Sequence, residues 1–234
     1  MARIASFHLI REPKWKTPFA LARLGTDRLR LPRVDGLAFW RLLGTGSGDR
    51  TGRGADLSRT ALFAVWEDEQ YLDAFLADGR IAQRWRGAGE SWHVRLRTVG
   101  GHGTWKGFDP LAGLEVGTPD GAVAIVTRAN VRRRSWKEFG AASEVVDAEL
   151  RRAPGLIDVV GIGETPIGSL ATFSLWESRA AARDFAYSMP DHRDVIRRTR
   201  AEDWYAEEMF ARFEPYGSAG TWNGRDPLAM QSPS

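Results

Sequence analysis

The 234-residue chain is 43% hydrophobic and 27% charged, a composition typical of a soluble globular protein and not of a disordered or collagen-like one. The chain contains no cysteine, which excludes disulfides, iron–sulfur clusters, Cys-ligated zinc, thiol nucleophiles and thiolate-ligated haem. Any site that needs imidazole must use one of four histidines: His8, His93, His102 and His192.

The charge and the termini predict a cytoplasmic protein without a nucleic-acid partner. The net charge is only +3, and the densest basic cluster, Arg132–Arg134, is expected to be a solvated turn. No apolar run approaches the ~20 residues of a membrane-spanning helix, so membrane contact is expected to be peripheral at most. The apolar stretch at the N-terminus is too short for a signal peptide.

In the first half of the chain the predicted elements follow the order strand, helix, strand, strand, helix, strand. Strands are indicated by aromatic and aliphatic runs between glycine and polar turns, and helices by apolar residues at helical spacing. The predicted strands cover residues 5–10, 36–44, 60–67 and 91–99. The predicted helices cover residues 17–30 and 68–86.

The second half repeats this order. Its predicted strands cover residues 121–131, 156–163, 170–176 and 205–216. Its predicted helices cover residues 135–152 and 179–202, the latter broken at Pro190. Ser135 is expected to cap the first of these helices, with Glu138 completing a capping box.

The repeated order reflects an internal duplication. The phrase GTWKGFDPLA (103–112) returns as GTWNGRDPLA (220–229), an offset of 117 residues. Further anchors pair residues 36–44 with 155–163, residues 61–67 with 171–177, and Trp92 with Trp204.

The duplication predicts an α+β fold built from two ferredoxin-like βαββαβ repeats, residues 1–113 and 121–230. One such repeat leaves a face of its sheet uncovered, so the two are expected to pair into a dimeric α+β barrel within one chain. The space between sheet and helices is where such a fold can hold a ligand.

Several short motifs, in conserved order across both repeats, resemble the spheroidene monooxygenase family of acyclic carotenoid ketolases. These motifs are FWRLLGTGSG (39–48), ESW (90–92), TRA (127–129), GIGETP (161–166), TFSLW (172–176), DW with EE and ARF (203–213) and GTWNG (220–224). The resemblance implies an oxygenase with haem b that uses O₂ and an electron donor. It would hydroxylate one CH₂ of an apolar substrate twice, giving a geminal diol that loses water to a ketone.

The resemblance also implies site residues. Related barrels, which include chlorite dismutases, dye-decolourising peroxidases and aldoxime dehydratases, hold haem through one histidine on a helix of the second repeat. This makes His192 the expected iron ligand, and counting twelve residues back from each anchor tryptophan places Arg80 opposite it in the first repeat. Arg128 is the expected catalytic donor to the bound ligand, and Trp176 and Phe173 are expected to line the haem pocket.

Other interpretations stay open. His192 could face solvent, Arg128 could be a surface arginine, and the two aromatics could be ordinary core residues. The chain could instead act on a nitrogen-containing metabolite, as an aldoxime dehydratase does, or be a haem-free barrel oxygenase or small-ligand binding protein. The Gly-rich segment 44–54 could be a surface loop or a lid. The barrel could also pair with a second copy through an outer face.

Overall fold

The computed structural model describes residues 2–46, 55–118, 120–164, 169–188, 197–199 and 201–229. The first repeat contains strands β1 (Ile4–Arg11), β2 (Leu37–Gly46), β3 (Ala55–Trp66) and β4 (Glu90–Gly103), with helices α1 (Thr17–Arg30), α2 (Glu69–Asp78) and α3 (Arg80–Arg86). The second contains β5 (Val123–Val131), β6 (Leu156–Gly163), β7 (Ser169–Trp176) and β8 (Tyr205–Gly220), with helices α4 (Trp136–Leu150) and α5 (Arg179–Ser188). The predicted order of elements is confirmed.

The eight strands form one closed antiparallel barrel in the order β1-β3-β2-β6-β7-β5-β8-β4. Two seams join the repeats. The β4–β8 seam runs from the pair Trp92 and Gly220 to the pair Gly103 and Met209, whereas the β2–β6 seam is short and includes Gly44 opposite Gly163. The α+β barrel expected from the duplication is therefore confirmed.

The barrel interior is a hydrophobic core shared by both repeats. Phe7 of the first repeat stacks on Phe173 of the second with ring centroids 3.8 Å apart. Separate clusters lie outside the barrel, between the sheet and the helices of each repeat; Trp66 packs on Phe75 in one and Trp176 on Phe185 in the other. Among the described helices, none is long and apolar enough to cross a membrane.

Ser135 occupies the N-cap position of α4 as predicted, but two other details of the predicted helices are wrong. Ser135 ends a short 3₁₀ turn with φ −100° and ψ 4°, so its side chain makes no capping hydrogen bond; an N-cap needs extended backbone to direct the hydroxyl at the first amides. The predicted helix 68–86 divides at Gly79, whose backbone is extended. A side chain there would lie 2.4 Å from the carbonyl oxygen of Phe75, so glycine is required.

The repeated GTW phrase forms two matching turns that insert Trp105 and Trp222 into the barrel core. The amide of Gly107 donates to Glu207 at 2.8 Å, and the amide of Gly224 donates to Glu90 at 2.7 Å. Each turn is thus bound by a glutamate of the other repeat.

These contacts show that Glu90 and Glu207 are equivalent residues of the two repeats. The predicted equivalence of Trp92 and Trp204 is therefore wrong. Trp92 lies within β4 and corresponds to Met209, while Trp204 precedes β8. The count that placed Arg80 opposite His192 used the wrong pair of tryptophans.

Candidate functional site

A cavity of about 230 Å³ lies between the sheet of the second repeat and helices α4 and α5. Its walls are mainly apolar, which suits an apolar ligand or cofactor. The sheet wall also carries hydroxyl groups, from Thr127, Thr172 and Ser174. The remaining lining residues are Ile125, Ala129, Phe139, Ser143, Val146, Asp147, Leu150, Ala171, Trp176, Ala182, Phe185, Ala186, Tyr205 and Phe210.

The matching space in the first repeat is almost filled, with a residual cavity of about 30 Å³. Strands β1 and β2 and helix α1 begin 119 residues before β5, β6 and α4, and Gly36 and Gly155 both adopt the left-handed conformation at this offset. At that offset, Ile10 is replaced by Ala129 and Leu24 by Ser143.

On β7 and at the centre of β5, large residues of the first repeat are likewise replaced by smaller ones. Leu62 of the first repeat corresponds to Thr172 at an offset of 110 residues. His8 corresponds to Thr127. Its larger side chain is buried beside Phe75, in the space between the sheet and the helices of the first repeat. The cavity therefore results from smaller side chains on an inherited scaffold.

The hydroxyl groups of the cavity are uncharged donors. The Ser174 hydroxyl accepts the indole N–H of Trp176 at 3.0 Å, which leaves its own proton available to a ligand. Burial, together with the charge of Glu208, raises the pKa of Tyr205 to about 12. Tyr205 is consequently protonated at neutral pH and can donate a hydrogen bond.

Of the predicted site residues, only Trp176 is placed at the cavity by the described structure. Phe173 points to the opposite side of the sheet, into the barrel core. His192 lies outside the described residues. In the sequence it follows α5 by four residues, and Phe185 and Ala186 of α5 line the cavity.

Arg128 also points into the barrel rather than into the cavity. Its Nη1 atom lies 2.6 Å from Glu207, and its guanidinium lies 5.5 Å from the ring centroid of Trp105. The side chain is 1% exposed. The structure thus gives Arg128 a position that holds a barrel turn, away from the cavity lining.

The other three histidines form no metal site with their described neighbours. His8 is buried, its Nε2 atom lies 2.9 Å from the Ser6 hydroxyl, and its ring stacks on His93. Burial first, then the nearby His93 and Arg95, hold the pKa of His8 well below its usual value. His102 is exposed near Glu208. Within the described ranges, no group of three His, Asp or Glu side chains is arranged to hold a metal ion.

Sequence reasoning missed the hydroxyl-bearing wall formed by Thr127, Thr172, Ser174 and Tyr205. A signal was nonetheless present for the first two. When the repeats are aligned at their local offsets, a large buried residue in the first repeat corresponds to a small hydroxyl residue in the second.

The sequence is similar to three proteins named spheroidene monooxygenase. The one from Rubrivivax gelatinosus is 35% identical over 198 residues, covering 81% of this chain and 73% of the relative. The one from Rhodobacter capsulatus is 29% identical over 97% of this chain and 96% of the relative. The one from Cereibacter sphaeroides is also 29% identical, and the match spans 66% of its length. No family model matches the sequence.

Solved structures support the fold. An aldoxime dehydratase in complex with butyraldoxime aligns with a TM-score of 0.62 at 12% identity, over 92% of this chain and 79% of the other. A second aldoxime dehydratase structure gives 0.58 at 9% identity, over 92% and 81%. At this identity the likeness concerns the α+β barrel alone.

Proposed function

The chain belongs to the spheroidene monooxygenase family, and from this premise we propose that it is a haem-dependent oxygenase acting on an apolar small molecule. Family membership makes the chain an enzyme, an oxidoreductase. The proposed reaction converts a CH₂ group to a ketone by successive hydroxylation with O₂, and each hydroxylation needs two electrons from a separate donor. The observation that carries the proposal is the cavity between the sheet and helices α4 and α5 of the second repeat, since the matching space of the first repeat is filled by larger side chains.

The residues around this cavity fit haem b. Apolar side chains of α4, α5 and the sheet would pack against the porphyrin, with Trp176 and Phe185 forming one wall. His192 would hold the iron, since cysteine is absent from the sequence and imidazole is the usual alternative. Bound haem would supply the redox chemistry that activates O₂.

The hydroxyl groups of the sheet wall would donate hydrogen bonds to molecules bound in the cavity. In this proposal Ser174, Thr127 and Tyr205 donate hydrogen bonds into a cavity whose other walls are apolar, where such bonds are stronger than in water. Tyr205 stays protonated because of its raised pKa. The apolar walls would exclude water from the site and orient an apolar substrate. Arg128 and Phe173 belong to the barrel core and take no part in these steps.

The test is haem content. We expect the wild type, expressed with excess haem, to show a Soret band and close to one haem per chain in a pyridine haemochrome assay. His192→Ala should lose both. The control is His102→Ala, because His102 is exposed near the end of β4, and this variant should retain haem.

Two results would contradict the proposal. Haem retained at full occupancy in His192→Ala would move the ligand to another histidine. No haem in the wild type would leave the fold intact and favour a haem-free barrel oxygenase.

A further inference from the structure

Helix α1 carries a row of large apolar side chains that faces away from the barrel. Trp15, in the 3₁₀ turn before the helix, is 72% exposed, Phe19 is 63% exposed and Leu29 is 68% exposed. At 100° per residue, Phe19 and Leu29 lie on the side of α1 that faces away from Leu24, which packs on the core cluster under the helix. We call Trp15, Phe19 and Leu29 the α1 stripe.

Packing of the fold does not require the α1 stripe. In the second repeat, the residues at the same positions are Arg134, Glu138 and Ala148, and all three are exposed. The same helix on the same scaffold therefore presents a polar surface in one copy and an aromatic one in the other. Single exposed apolar residues are ordinary, but an aligned row that only one copy has points to a binding surface.

Cations flank the residues of the α1 stripe in the sequence. They are Lys14, Lys16, Arg28, Arg30 and Arg33. None of them forms an ion pair with a described residue; Arg28 and Arg33 donate only to backbone carbonyls. The single acidic residue between positions 14 and 33 is Asp27, which is buried and paired with Arg84. The surface is therefore positive as well as apolar.

The combination favours an anionic lipid surface as the partner. A second copy of the chain, docked two-fold, would set these uncompensated cations against each other. Tryptophan and phenylalanine on a convex helix insert at the level of lipid headgroups, and lysine and arginine beside them attract anionic lipids. The Lys16 ammonium lies 5.1 Å from the Trp15 ring centroid, so the apolar and cationic parts of the surface are contiguous.

We propose that the α1 stripe and its flanking cations dock this protein on anionic lipid bilayers. The contact is peripheral and leaves the cavity of the second repeat untouched. It stands independently of haem binding, and it would bring the enzyme to the phase in which apolar molecules dissolve.

The experiment is co-sedimentation of the 234-residue protein with vesicles of phosphatidylcholine alone and of phosphatidylcholine mixed with phosphatidylglycerol. We expect binding to the anionic vesicles, weaker binding to the neutral ones, and loss of binding as salt rises. The double variant Trp15→Ser/Phe19→Ser should weaken binding about tenfold or more. Lys14→Gln and Lys16→Gln should each weaken it about fivefold.

A matched control lies on the other repeat. Val145 is exposed on α4, so Val145→Ser removes apolar surface from the equivalent helix and should leave vesicle binding unchanged. Far-UV circular dichroism and haem content should be unchanged in all these variants, because the replaced side chains make no core contact.

Several outcomes would overturn the proposal. These are equal binding to neutral and anionic vesicles, no binding to either, and full binding by the Trp15→Ser/Phe19→Ser variant. A wild-type dimer in solution that this variant dissociates, without vesicle binding, would assign the stripe to a subunit interface. Vesicle-independent binding to an acidic polypeptide such as polyglutamate would assign it to an acidic protein partner.

Discussion

Glu207 is a residue at which the two repeats meet. Its carboxylate accepts hydrogen bonds from the Gly107 amide at 2.8 Å and the Thr104 hydroxyl at 2.7 Å, and it pairs with Arg128. Burial alone would raise the pKa of Glu207. The amides of Gly107 and Lys106, the Thr104 hydroxyl and the Arg128 guanidinium outweigh that effect and lower the pKa to about 2. The carboxylate is therefore charged in the folded protein at any ordinary pH.

We expect this carboxylate to make stability depend on pH in acid. A pKa lowered by folding contributes stability above the unfolded value, here 4.5, and the contribution is lost as pH falls toward about 2. Glu207→Gln should lose about 3 kcal/mol of unfolding free energy at neutral pH. Its stability should also change less than that of the wild type between those two pH values. Urea denaturation at a series of pH values measures both.

The control for this prediction is Glu90→Gln. Glu90 accepts the matching amide, from Gly224, but its contact with Arg11 is longer, 3.6 Å, and Arg11 is half-exposed. The loss at Glu90 should therefore be smaller. Equal losses at the two positions would show that the Arg128 ion pair adds nothing.

The face on which Arg128 lies could not be predicted from the sequence. Both faces of β5 are apolar, with Val123 and Ile125 toward the helices and Ala124 and Val126 toward the barrel. Without an alternation of polar and apolar residues, nothing assigns the arginine to one side. On β7, by contrast, Phe173 alternates with Thr172 and Ser174, so its side chain lies on the opposite face of the sheet from theirs.

At the level of helices and strands, the cavity of the second repeat can be filled by replacing Thr172 with leucine, the residue at the equivalent position of the first repeat. We expect Thr172→Leu to lower the haem content of the purified protein while the melting temperature stays the same or rises, because leucine is the residue at the equivalent Leu62. Pyridine haemochrome analysis and thermal unfolding measure the two effects. Full haem occupancy in this variant would place the cofactor elsewhere.

The reciprocal variant tests the other copy. Leu62 is fully buried, so Leu62→Thr should cost about 2–4 kcal/mol of stability through lost packing and a buried hydroxyl. Its haem content should be unaffected. A similar loss of haem in both variants would mean that instability, rather than the cavity volume, controls haem binding.

The order of elements could be predicted because the same order of strands and helices is encoded twice in the sequence, once in each repeat. The two details that failed, the Ser135 capping hydrogen bond and the continuous helix 68–86, depend on local backbone geometry. The 3₁₀ turn before Trp136 and the extended backbone at Gly79 are not visible in hydrophobic periodicity. Likewise, the Trp92–Trp204 anchor rested on residue type, whereas the hydrogen bonds to Glu90 and Glu207 fix the register of β4 and β8.

At the scale of the whole molecule, each repeat completes the core of the other. Phe7, Phe63 and Leu43 of the first repeat are buried in a barrel whose other half includes Phe173 and Phe213. The division at residues 113 and 121 stays a prediction. A repeat expressed alone would expose one face of its sheet, which an isolated domain does not tolerate.

We expect neither the fragment 1–118 nor the fragment 119–234 to behave as a folded monomer, and we expect their mixture to regain the barrel. Size-exclusion chromatography and near-UV circular dichroism of the separate and mixed fragments measure this. A fragment that melts cooperatively as a monomer would show that a repeat is an autonomous domain.

The hydrogen bonds between each GTW turn and a glutamate of the other repeat bear on how the two halves differ. The cavity of the second repeat is lined by residues of that repeat alone, so a change in its wall contacts no residue of the other half. Each turn, in contrast, donates a backbone hydrogen bond to a glutamate of the opposite half. The turns still agree at eight of ten positions, while the cavity walls differ as Leu62 does from Thr172. The two halves thus agree in the turns that join them and differ in a cavity wall that lies within one half.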